Sequence, residues 1–121
     1  MTGDPTEFML HFAGRGTPTL TVTGELDLAT AANLRSGVRS AIEHTEGDLI
    51  LDMRNVTYID SSGLSVVLEA RELLERAGRM LIINDPSESV TTILTICGLA
   101  DRIATSVTES GAAGAEPVTN G

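Results

Sequence analysis

Ile59-Asp60-Ser61-Ser62-Gly63-Leu64 joins the end of an apolar run to the start of a segment with helical periodicity. Asp and Ser are favoured at helix N-caps because their side-chain oxygens accept hydrogen bonds from the unpaired N–H groups of the first turn. A capped helix therefore accounts for the stretch by itself. A helix N-terminus also favours added negative charge, so a serine there is well placed to accept and hold a phosphate. Residue chemistry alone leaves both readings open.

Downstream, Leu64, Val67, Leu68, Leu74 and Ala77 form one helical stripe, with Glu69, Glu72, Glu75 and Arg76 outside it and Gly78 in place as a left-handed C-cap. Upstream, Asp48-Leu49-Ile50-Leu51-Asp52-Met53 reads as a short strand covered on both faces. Arg54 to Tyr58 then reads as a connection, with Val56 and Ile59 pointing inward. Further back, Gly24-Glu25-Leu26 precedes Asp27, which stands as the N-cap of a helix turning Leu28, Ala31, Leu34, Val38, Ala41 and Ile42 inward and ending near Glu43 or His44. Before it, Phe8, Leu10 and Phe12 alternate with other residues, a turn spans Gly14 to Pro18, and Leu20 and Val22 alternate with threonines. That pattern is an antiparallel hairpin.

Beyond the second helix, Met80-Leu81-Ile82-Ile83 is another strand run. Asp85-Pro86-Ser87-Glu88 combines an Asp N-cap, Pro at the first helical position and Glu three residues after the cap. The helix it predicts turns Val90, Ile93, Leu94 and Cys97 inward and closes on Gly98-Leu99. Ile103 to Val107 reads as a short last strand, and residues 108–121, with little apolar content, as a disordered tail. From the second strand onward, strands alternate with helices, which requires right-handed crossovers. The expectation is one α/β domain over residues 7–107: a mixed, mostly parallel sheet with an antiparallel N-terminal strand, flanked by three helices. Such sheets bind ligands and partners at the C-terminal ends of their strands. Asp27 and Ser61 both fall there.

A chain of 121 residues, 41% hydrophobic, suits a single core, and with two Phe, one Tyr and no Trp that core must be aliphatic. The lack of aromatics argues against a stacking platform for single-stranded nucleic acid. A net charge of −9 repels nucleic acid and anionic lipid alike. One cysteine forms no intramolecular disulfide, no signal peptide opens the chain, and no apolar run nears the roughly 20 residues that span a bilayer. A soluble, cytoplasmic protein is expected. His11 and His44 have no metal-ligand spacing to a partner, and Cys97 reads as a small core residue. The sequence contains no P-loop, GxGxxG, Ser-His-Asp order or paired general acid and base. An enzyme, a cofactor and a metal are all unexpected.

Gly24-Glu25-Leu26-Asp27 followed by Thr30, Leu49-Ile50-Leu51-Asp52, Asp60-Ser61-Ser62-Gly63-Leu64 and Cys97-Gly98-Leu99, in this element order, resemble the STAS domains of bacterial anti-sigma factor antagonists. The resemblance implies that Ser61 is phosphorylated by an anti-sigma factor, an ATP-binding serine kinase, and that a PP2C-type phosphatase restores it. It implies a partner-binding surface of Asp27, Asp60, Ser61, Ser62 and Gly63. It also implies that the unphosphorylated protein captures the anti-sigma factor and frees a sigma factor. The alternative is a constitutive assembly module, as STAS domains are in stressosome-like and lipid-transport complexes. Ser65 departs from the family pattern, standing where many relatives carry a second glycine.

Overall fold

Right-handed crossovers in a sheet whose strands follow sequence order lay every helix on one face, and this chain has that order. The computed structural model describes residues 8–107. They run β1 (Met9–Ala13), β2 (Thr19–Leu26), α1 (Leu28–Glu43), β3 (Leu49–Ile59), α2 (Ser61–Arg76), β4 (Leu81–Asn84), α3 (Glu88–Ile96) and β5 (Ala104–Ser106). The sheet order is β1-β2-β3-β4-β5, with β1 antiparallel to β2 and the other neighbours parallel. The expected α/β architecture is present. The tail expected from Thr108 onward lies outside the described residues.

Burial alternates along the strands. Leu20, Val22, Leu49, Leu51, Met53, Leu81 and Ile83 are buried on the helical face with Leu34, Val38, Val67, Leu74, Val90 and Leu94, while Thr19, Thr21, Ile50, Asp52 and Ile82 between them are only half-buried. Strand β3 is therefore not covered on both faces as its apolar run suggested. Ile50 instead lies in register between Thr19 and Ile82, and the two isoleucines shield each other on the open face.

Residues Arg54 to Tyr58 belong to β3 and are not a connection. Between the pairs Thr21–Asp52 and Thr23–Asn55, and again between Gly24–Val56 and Glu25–Tyr58, β3 spends one residue more than β2. Each extra residue is a bulge, so the buried positions Met53, Val56 and Ile59 step by three instead of two. The period that identifies a strand is lost there, although the inward placement of Val56 and Ile59 holds.

Helix ends follow local rules with one correction. Gly78 (φ 74°) and Gly98 (φ 71°) each close a Schellman motif, in which the Arg79 N–H donates to the Leu74 carbonyl and the Leu99 N–H to the Leu94 carbonyl, both at 2.8 Å. Helix α3 is capped by Ser87 and not by Asp85. Asp85 (φ 51°) finishes β4 instead: its N–H donates to the Ser106 carbonyl, and its carboxylate takes the Arg54 guanidinium at 2.6 Å. Cys97 is exposed because it is the C-cap of α3, where the chain turns and Leu99 folds back in its place. Leu28, at the first position of α1, is 80% exposed, Ala77 is exposed as the C-cap of α2, and Leu68 is half-buried, whereas Val66 and Ala70 complete the buried stripe. Side by side on the sheet, α1 and α2 are joined by Glu69, which accepts from Arg35 Nε at 3.1 Å and Arg39 Nη2 at 2.7 Å.

Candidate functional site

Neighbouring parallel strands lie roughly 4.8 Å apart, and Leu26 of β2 pairs in register with Ile59 of β3. The residues that follow, Asp27 and Asp60, therefore cap neighbouring helices at the same end of the sheet. Asp27 Oδ1 accepts from the N–H groups of Ala29 (3.0 Å) and Thr30 (3.2 Å), and Thr30 Oγ1 accepts from the Asp27 N–H at 3.0 Å. This is a reciprocal capping box with threonine in the usual Glu position. The Thr30 hydroxyl also donates to the Glu25 carbonyl at 2.7 Å, tying the end of β2 to α1. Asp60 Oδ1 accepts from the N–H groups of Ser62 (2.9 Å) and Gly63 (3.3 Å). The Asp60 N–H donates to the Leu26 carbonyl at 3.1 Å, which joins the two helix starts directly.

Ser61 occupies the first helical position of α2 and is exposed, Ser62 is half-buried and Gly63 is buried. Among the described residues, Asp27 and Asp60 form no ion pair; the arginines pair instead with Glu69, Asp52, Asp85, Glu75 and Glu72. The site is thus a serine hydroxyl held in solvent beside two carboxylates already bonded to helix N–H groups. A phosphate added to Ser61 meets the negative charge of Asp60 beside it. Solvent tolerates such a group; a closed interface does not.

The STAS domain profile matches residues 14–112. The chain is 32% identical over 94 residues to the anti-sigma F factor antagonist of Lysinibacillus sphaericus, covering 76% of this chain and 80% of that protein. The chain belongs to the STAS-domain family of anti-sigma factor antagonists. Its fold superposes on the anti-sigma factor antagonist SpoIIAA in its unphosphorylated form with a TM-score of 0.69 at 27% identity, covering 88% of this chain and 92% of that one. The phosphorylated form of SpoIIAA, a Bacillus cell fate determinant, gives 0.65 at 26% identity, covering 88% and 96%.

In this STAS domain the fold brings Asp27, Asp60, Ser61 and Ser62 to one end of the sheet, and it places Gly63 beneath them. Gly63 presents no side chain outward and sets how closely α2 approaches β2. Sequence reading missed three exposed apolar side chains: Leu28 (80% exposed), Tyr58 (48%) and Ile96 (77%). Helical periodicity assigned Leu28 to the core, and the bulges in β3 hid the direction of Tyr58. Among the described residues no group of His, Cys, Asp and Glu is placed to hold a metal, and no helix is long and apolar enough to cross a membrane.

Proposed function

We propose that the protein is a phosphorylation-switched anti-sigma factor antagonist acting in the cytoplasm. Its unphosphorylated form binds an anti-sigma factor that is an ATP-dependent serine kinase, and a sigma factor is released. The kinase transfers the γ-phosphoryl group of ATP to Ser61, and a PP2C-type phosphatase removes it. Asp27, Asp60 and Ser62 lie within the docking surface, and Gly63 shapes it. The protein's own role is regulatory and needs no catalytic group, cofactor, nucleic acid or membrane. The observation that carries this reading is the exposed Ser61 on the first turn of α2, beside two carboxylates that form no ion pair among the described residues.

Intact mass after incubation with ATP and the purified kinase tests it. A gain of one phosphate in the wild type and none in Ser61→Ala is expected. Equal binding of phosphorylated and unmodified protein would instead favour the constitutive assembly module.

A further inference from the structure

Beside the Ser61 surface runs a groove of about 460 Å³ between the end of β3 and α3, lined by Tyr58, Ile59, Glu88, Ser89, Ile93 and Ile96 among others. Its apolar wall is exposed where a solvated helix would be polar: Ile96 is 77% and Tyr58 48% accessible. Ile59, in its floor, directly precedes Asp60 and Ser61 in the chain. The Ser89 hydroxyl donates to the Thr57 carbonyl at 3.0 Å, and the Ser87 N–H to the Met53 carbonyl at 3.1 Å, so the two walls are fixed to each other. The rim is acidic. Glu88 lines it, Glu25 pairs in register with Tyr58, Asp60 follows Ile59, and among the described residues none that lines it is basic.

We infer that this groove is the second half of the docking surface and receives a segment of the kinase carrying an aliphatic or aromatic side chain flanked by Arg or Lys. The inference rests on the proposed function, since Ile59 of the groove lies two residues before Ser61 in the chain. An apolar anchor removed from water at the centre of a contact supplies affinity, whereas charges around it steer encounter. A segment of this chemistry satisfies both walls: its anchor lies against Ile93 and Ile96, and its cations face Glu88, Glu25 and Asp60. Phosphoryl transfer to Ser61 then takes place at one end of a footprint held in place from the other.

The test uses the purified serine-kinase anti-sigma factors of the source bacterium, each loaded with ADP, against the full chain by surface-immobilised binding kinetics. Ile96→Ser, at a position exposed enough to leave the fold intact, should weaken binding at least tenfold, equivalent to about 1.4 kcal/mol, chiefly through faster dissociation. Glu88→Gln should slow association and flatten its salt dependence. Thermal midpoints of both variants check that folding is unaffected. If Ile96→Ser binds within twofold of wild type while Ser61→Asp does not bind, the groove plays no part and the inference fails alone. If the wild type binds none of the kinases, the proposed function fails and the inference with it. Sedimentation showing a wild-type dimer that Ile96→Ser dissociates would assign the groove to a second copy of this chain and overturn the inference.

Discussion

A Cβ placed on Gly63 would lie 2.8 Å from the Cβ of Leu26, 3.0 Å from the Leu26 carbonyl oxygen and 3.2 Å from Ile59 Cγ1. None of these atoms is the free end of a flexible side chain, and the same carbonyl accepts the Asp60 N–H. Glycine at this position is a matter of close approach: it lets the first turn of α2 settle against the end of β2, which brings the two capped helix starts together.

Gly63→Ala sets two effects against each other. Alanine is favoured over glycine in a helix by up to about 1 kcal/mol, but overpacking a fitted contact costs roughly 1–3 kcal/mol. The contact should prevail, since the clash is with backbone and Cβ atoms. Denaturant unfolding should show net destabilisation, and hydrogen exchange should show faster loss of the Asp60 amide proton as the Asp60–Leu26 bond loosens. A variant as stable as wild type, with that amide still protected, would show that α2 has room to move.

The division of the sheet into a helical face and an open face orders the effects of core truncation. Leu74→Ala and Leu51→Ala, both fully buried, should each cost about 2–5 kcal/mol. Ile82→Ala, on the half-buried open face, should cost clearly less. Chemical denaturation of the three variants gives the ranking, and an Ile82→Ala cost equal to that of Leu74→Ala would mean the open face is covered.

That ranking also marks how far the sequence was legible. Leu49, Leu51, Leu81 and Ile83 announced themselves as strand residues, but the number of covered faces depends on strand order, which no local pattern records. Capping was readable at Asp27, and in the Asp60-Ser61-Ser62 stretch without the choice of residue, because it is decided within three residues. It was misread at Asp85, whose carboxylate and amide are claimed by Arg54 and Ser106, both distant in sequence. The same distance hid Arg79, whose guanidinium donates to the Ile42 and Gly47 carbonyls and to Thr45 Oγ1, fastening the loop before β3. The place of Ser61 at a helix start was visible, but the groove between β3 and α3 needs those two elements brought together.

Hydrogen bonds from Arg39 and then Arg35 hold the Glu69 carboxyl below its usual range. A carboxyl with a lowered pKa in the folded state stabilises the fold above its unfolded pKa, about 4.3 for glutamate, and that contribution fades as pH falls through the lower folded value. Glu69→Gln should therefore have a lower thermal midpoint than wild type at neutral pH, with the gap closing under acid. Added salt should also narrow it, because the three side chains are partly solvated. A gap independent of pH and salt would show that Glu69 acts through packing of its stem.

Phosphorylation of Ser61 should leave the stability of the wild type nearly unchanged, and Asp60 is the reason. A phosphoserine stabilises a helix start by accepting from free N–H groups, yet those of Ser62 and Gly63 are already bonded to the Asp60 carboxylate. The added charge finds those two donors taken and faces a like charge. Replacing Asp60 by Ala removes the cap, at about 1 kcal/mol, and frees both donors. The phosphate then substitutes for the lost carboxylate. Phosphorylation should thus raise the thermal midpoint of Asp60→Ala by some 4–8 °C, the shift about 1 kcal/mol produces in a domain of this size, while moving that of the wild type little. Scanning calorimetry of the four species, two sequences each with and without phosphate, measures this coupling directly. Equal shifts in both backgrounds would mean that Asp60 does not compete with the phosphate for the helix start.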